Sequence, residues 1–187
     1  MSTRLTPFQT IGPFFHHALL FKGGETLTAE GTVGQQIVIE GTVRDGAGTP
    51  VSEALIEIWQ ADAVGRYNHP GDGRDRPLDA AFDGFGRTPT DEAGCFSFAT
   101  IKPGPVPDLS GRMQAPHVLV SILARGILTR LITRIYFDDE PANEQDPILA
   151  LVPVERRPTL LARHQGNGQY HIDIRLQGEG ETVFFDV

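Results

Sequence analysis

Few side chains in this sequence are suited to chemistry, and they lie scattered between short apolar segments. Tyr67 stands in the run Gly65-Arg66-Tyr67-Asn68-His69 and His117 in Ala115-Pro116-His117. A tyrosine in a loop ordinarily has its hydroxyl hydrogen-bonded, and a histidine at a strand start is ordinarily a satisfied structural residue. His16, His17 and His69 could join Tyr67 in a metal site, but their spacing matches no compact chelate, so they read as loop and surface histidines. Arg134 either pairs with Asp138 or Asp139 or holds an anionic ligand. Arg66, Arg87 and Lys102 read as braces for loops. Cys95 is the one cysteine; its acidic neighbourhood disfavours a thiolate, so an inert thiol is expected.

The elements that position these groups are short and β-like, punctuated by 21 glycines and 14 prolines. Residues 37–45 read as a strand closed by the turn at 46–50, with 54–60 as its hairpin partner. In that second segment Leu55 and Trp59 share one face, and Ile56 and Ile58 the other. Both faces are apolar, which suits a strand covered on both sides, and Trp59 reads as a core anchor. Phe96 and Phe98 alternate with small residues after the turn at 91–94. Residues 118–124 and 131–137 are two strands joined near Gly126, and Ile172, Ile174 and Leu176 mark another. A short helix is expected from Pro158 to just before Gly166. About seven such strands predict an all-β chain, an antiparallel β-sandwich with one or two short helices. The long connections 61–90 and 101–116 are where functional loops are expected.

The 187 residues suffice for one well-cored domain and are short for two. A formal charge of −8 disfavours nucleic acid and anionic membrane surfaces as partners. One cysteine forms no internal disulfide, which suits a reducing compartment. The first residues show neither a basic start nor a long apolar run, and no segment has the length of a bilayer span. These features predict a cytoplasmic protein.

Several stretches together resemble the intradiol ring-cleaving dioxygenases. They are Leu55-Ile56-Glu57-Ile58-Trp59-Gln60-Ala61-Asp62, Gly65-Arg66-Tyr67-Asn68-His69, Gly84-Phe85-Gly86-Arg87-Thr88, Thr100-Ile101-Lys102-Pro103-Gly104-Pro105, Ala115-Pro116-His117 and Arg134-Ile135-Tyr136-Phe137. Two terminal stretches, 6–13 and 177–186, are similar more narrowly to the α chains of the protocatechuate-cleaving branch. Its enzymes pair homologous α and β chains.

The resemblance implies a ferric, non-haem oxidoreductase that cleaves a catechol between its hydroxyl-bearing carbons with O2. The family's iron is held by two tyrosines and two histidines. Transferred here, those positions are Tyr67, Val106, His117 and Leu119, so two donors are replaced by aliphatic side chains. A family arginine three residues before the first histidine is Gln114. The resemblance therefore implies vestigial ligand positions, no metal and no catalytic residue in this chain, with Fe(III) bound by the partner β subunit. It implies an α–β hetero-oligomer that converts 3,4-dihydroxybenzoate and O2 to 3-carboxy-cis,cis-muconate in aromatic catabolism (the β-ketoadipate pathway). Thr10, Gly12, Pro13 and Arg134 would wall the partner's substrate pocket. The chain would be one domain, 1–187, with an N-terminal arm of about 1–30 packing on the partner through Phe8, Ile11, Phe14 and Phe15. Two rivals stand beside this: a self-sufficient dioxygenase with an altered ligand set, and a non-enzymatic β-sandwich binding module.

Overall fold

The computed structural model describes residues 7–12, 14–75 and 77–186. Ten strands appear in the order β1 (Gln36–Arg44), β2 (Leu55–Trp59), β3 (Phe85–Pro89), β4 (Cys95–Ile101), β5 (Val106–Pro107), β6 (Met113–Gln114), β7 (His117–Leu123), β8 (Leu131–Phe137), β9 (Leu161–Gly166) and β10 (Gln169–Arg175). One α-helical turn, Phe15–Leu19, precedes them. Three 3-10 segments, Pro141–Gln145, Leu149–Leu151 and Val154–Leu160, link β8 to β9. No helix among the described residues is long and apolar enough to cross a membrane.

Eight strands are hydrogen-bonded in the order β3-β2-β7-β8-β9-β10-β1-β4, and β5-β6 form a separate small ladder. The eight fold into two four-stranded layers joined where β8 and β9 run parallel through Tyr136↔Leu161 and Phe137↔Ala162. Alternation with a period of two selects the residues between the layers. One layer contributes Ile39, Val43, Phe96, Phe98, Ile172 and Ile174; the other contributes Ile56, Ile58, Val118, Val120, Ile135 and Phe137. Most are β-branched or aromatic, the side chains that pack well on a pleated surface. The expected sandwich is the observed one, antiparallel except where β10 runs parallel to β1 and β9 parallel to β8.

A recurrent Asp-x-x-Gly turn caps this framework. Asp45, Asp62, Asp91 and Asp108 each accept, through one carboxylate oxygen, backbone N–H groups two and four residues on. The fourth residue of each is a glycine with positive φ, the conformation such a turn demands.

The structure corrects three local expectations. The segment 54–60 is not the hairpin partner of β1. β2 pairs with β3 and β7 in the opposite layer, while β1 is flanked by β10 and β4. Pro50, which has no N–H to donate, and Glu53 at φ 55° turn the chain out of β1's sheet after a single bridge. The expected helix at 158–166 is absent: Pro158 ends up inside the 3-10 segment, and Leu161–Gly166 is β9. The exposed edges of β8 and β10 supply hydrogen bonds that override the local helical signal. The connections 61–90 and 101–116 are also not wholly irregular, because they contain β3 and the β5–β6 ladder.

Gly41 marks how closely the core is packed. A Cβ there would run into the carbonyl of Ile172 and the ring of Phe96. Gly41→Ala is expected to cost about 2–3 kcal/mol, read as a lower urea midpoint with an unchanged slope.

Candidate functional site

If Val118, Val120, Ile135 and Phe137 face the core, their neighbours must face outward. Trp59, Leu119 and Arg134 stand directly opposite one another across β2, β7 and β8, and His117 stands opposite Tyr136. This outer face carries most of the residues singled out from the sequence. Trp59 is therefore not a core anchor. It is half-buried on the outer face, its indole stacked on Tyr67 with ring centroids 5.8 Å apart and planes 12° from parallel.

Two loops bring Tyr67 and Val106 over this face. The turn at Asp62 places Gly65 at φ 79°, and Gly104 donates its N–H to the Asp62 carbonyl at 2.8 Å. The two backbones touch here: a Cβ on Gly104 would lie 2.5 Å from the Gly65 nitrogen, and one on Gly65 would strike the Pro105 carbonyl. Farther along, Asp72 accepts the Tyr67 N–H at 2.7 Å and pairs with Arg74, whose guanidinium lies 5.9 Å from the Tyr67 ring centre. The hydrogen bond from Arg74 holds the Asp72 carboxyl well below the usual carboxylate range. Arg87 braces the N-terminal side, bonding Glu57 at 2.6 Å and the Leu19 carbonyl at 2.6 Å. Lys102 does the same for the β8 end through Asp139 at 3.1 Å.

Val106 pairs with Gln114 in the β5–β6 ladder and is buried. His117 is buried with Nδ1 2.8 Å from the Ala115 carbonyl. Burial, and then the charge of Arg134, lower its pKa to about 4, so it is neutral over the ordinary range. Burial pushes the Tyr67 phenol up, against the pull of Arg134 and Arg74. Membership of a non-haem iron family would imply a metal at these four positions. The donors present, one phenol and one imidazole beside two hydrocarbon side chains, do not fit a ferric ion. A guanidinium whose field reaches both donors further opposes a bound cation.

Arg134 is held by neutral groups. Its Nη1 donates to Gln114 Oε1 at 2.7 Å and to the Tyr136 hydroxyl at 3.3 Å, and the Phe185 ring lies 5.9 Å from its Cζ. Asp138 and Asp139, the partners considered for it, are engaged elsewhere. Asp138 accepts the His164 N–H at 2.9 Å, and Asp139 accepts from Lys102 and, at 3.0 Å, from the Tyr170 hydroxyl. Tyr136 in turn donates to Asp146 at 3.1 Å. Asp146 is buried and also accepts the backbone N–H groups of Ala115 (2.7 Å), Ile148 (2.9 Å) and Leu149 (2.6 Å). Sequence reasoning missed Asp146. A lone acid at the head of the apolar run Pro147-Ile148-Leu149-Ala150-Leu151-Val152 was the signal available.

Thr10 and Gly12 are not beside Arg134 in this chain. The Thr10 hydroxyl bonds Gly126 N at 2.7 Å and the Ala124 carbonyl at 3.5 Å, at the far end of the β7–β8 hairpin. That is five residues from Leu119, about 17 Å along a strand. Pro13 and the side chains of His16 and His17 lie outside the described residues.

Two outcomes follow from this geometry. Gly65→Ala is expected to destabilise the chain by about 2 kcal/mol and to loosen the Trp59–Tyr67 stack, read as stronger acrylamide quenching of the single tryptophan. His117 binds a proton near pH 6.5 when unfolded but only near 4 when folded. Between those values the unfolded state holds more protons, so stability falls as pH drops through the window, by about 3 kcal/mol in all. His117→Gln removes that part of the slope, measured by urea denaturation at stepped pH.

A dioxygenase family profile matches residues 11–178. The protocatechuate 3,4-dioxygenase alpha chain of Pseudomonas putida is 42% identical over 197 aligned positions, covering 97% of this chain and 96% of that one. The beta chain of the Burkholderia cepacia enzyme is 36% identical, covering 93% of this chain and 76% of its own length. Among solved structures, the dioxygenase domain of a carbohydrate-binding fusion protein from Streptomyces sp. SirexAA-E superposes with a TM-score of 0.63 at 29% identity, over 92% of this chain and 98% of that domain. The outward-facing residues and the match along almost the whole sequence agree: this chain belongs to the dioxygenase family.

Proposed function

We propose that this chain is the α, non-iron-binding subunit of a cytoplasmic protocatechuate 3,4-dioxygenase. It assembles with a homologous β chain that supplies all the iron ligands. The complex cleaves 3,4-dihydroxybenzoate with O2 to 3-carboxy-cis,cis-muconate. The observation that carries the reading is the outer face of β7–β8 with the loop over it: Leu119 and Val106 carry no donor atom, and Arg134 there is a guanidinium with no carboxylate partner among the described residues.

The chain's own part is to bind, orient and exclude water. Arg134 holds the ring carboxylate of protocatechuate in the partner's pocket, a charge-assisted contact that an uncarboxylated catechol does not make. In the arm (about 1–30), Thr10 leaves its seat on the β7–β8 turn and lines the same pocket with Gly12 and Pro13, while Thr26 and Thr28 stay bridged to the sandwich. Phe8 and Phe14 support this role for the arm: at 77% and 75% exposure they leave apolar surface that a partner would cover. The sandwich supplies the rest of the interface.

Purified alone, the chain is expected to be colourless and iron-free, and to join a red-brown complex only when co-expressed with its β partner. Stoichiometric ferric iron in the lone chain would establish the self-sufficient enzyme instead. Failure to bind any iron-bearing homologue would establish the binding module. Within the complex, Arg134→Ala is expected to raise KM for protocatechuate about tenfold or more and to leave that for catechol unchanged. Equal effects on both substrates would remove the carboxylate role.

A further inference from the structure

Arg134 has five N–H donors in a planar fork, and its protein contacts use only one end. Both Nη1 hydrogens are taken, by Gln114 Oε1 at 2.7 Å and the Tyr136 hydroxyl at 3.3 Å. Among the described residues no acceptor meets Nε or Nη2, and neither atom is among the buried unpartnered ones. The Nε–Nη2 edge is one of the two edges on which a guanidinium binds a carboxylate through parallel hydrogen bonds.

The groups that orient the fork are themselves fixed. Tyr136 is fully buried and donates to Asp146, whose carboxylate is pinned by three backbone N–H groups. The hydroxyl proton is thereby committed to Asp146, leaving the oxygen lone pairs towards Arg134. Gln114 is buried on β6 by its pairing with Val106. Its residue type matters: an arginine at 114 would offer Nη1 a donor and a like charge. A glutamine offers an acceptor and no charge. Nη1 is thus held without an ion pair, and the guanidinium keeps its full charge for an incoming anion.

We propose that Gln114 and Tyr136 are positioning residues that turn the Nε–Nη2 edge of Arg134 toward the ring carboxylate, making them determinants of selectivity for carboxylated over uncharged catechols. This rests on the reading of Arg134 given above. Gln114→Glu keeps the shape and adds a carboxylate that pairs with Arg134 and cancels its charge. Gln114→Met keeps the bulk and removes the acceptor. Tyr136→Phe removes the second acceptor.

The test uses the assembled αβ complex, with anaerobic equilibrium binding of protocatechuate and steady-state kinetics on protocatechuate and catechol. Gln114→Glu is expected to raise the protocatechuate Kd and KM about tenfold, with kcat and the catechol KM within about twofold of the parent. Gln114→Met and Tyr136→Phe are expected to raise the same two constants several-fold. Should Gln114→Glu fail to assemble, Gln114→Met decides by the same comparison. Unchanged protocatechuate binding in the Gln114 variants, alongside weakened binding in Arg134→Ala, overturns the positioning role and leaves the Arg134 reading intact. An Arg134→Ala complex that binds protocatechuate normally overturns that reading itself. Equal losses on both substrates in the Gln114 variants mark a merely structural role and also overturn the proposal.

Discussion

Val118, Val120, Ile135 and Phe137 are packed between the two layers of the sandwich, and their burial dictates where every neighbouring side chain points. A strand cannot turn one residue inward without turning the next outward. His117, Leu119, Arg134 and Tyr136 are therefore delivered to a single outer face, in register with Trp59 on the adjoining strand. A slip of one residue in the β7–β8 pairing would bury the guanidinium in the core and expose Ile135 and Phe137, so hydrophobic packing guards the register of the functional face.

That face holds a positive charge beside only two donor side chains, Tyr67 and His117. Its residues are mutually consistent across several positions. Val106 and Leu119 carry no donor atom, the guanidinium of Arg134 acts on Tyr67 and His117, and the neutral side chain at 114 accepts a hydrogen bond from Arg134. An uncharged acceptor steadies the guanidinium without neutralising it. Asp146 sits at the end of this chain of contacts. Four donors meet its buried carboxyl group, three of them backbone N–H groups.

The loops over the face are held less by side chains than by close backbone approach. Gly65 and Gly104 allow two connections to touch, and each stands two residues before a side chain brought over the outer face, Tyr67 and Val106. The Asp62 turn that sets up this contact uses the same Asp-x-x-Gly device found at Asp45, Asp91 and Asp108. A turn that elsewhere only closes a loop here sets a functional loop against its neighbour.

Much of this was legible along the chain. Alternation at 37–43, 96–98, 118–122 and 172–176 marked strands because the period of a pleated backbone is local, and the Asp-x-x-Gly turns are local too. The identities at 67, 106, 117 and 119 could be read one by one, so it needed no coordinates to see that only two of them carry a donor atom. What sequence could not supply were choices among partners at a distance. Residues 54–60 fit a hairpin with β1 equally well until the edges of β1 were taken by β4 and β10. Residues 161–166 kept a helical reading until β8 and β10 offered open edges. Asp146 drew no notice in the sequence because, beyond the nearby N–H groups of Ile148 and Leu149, its partners Tyr136 and Ala115 lie 10 and 31 residues away. A residue's own propensity is written in its neighbours along the chain. Its hydrogen-bond partner, burial and charge environment are set by segments tens of residues away, and these exist only once the chain has folded.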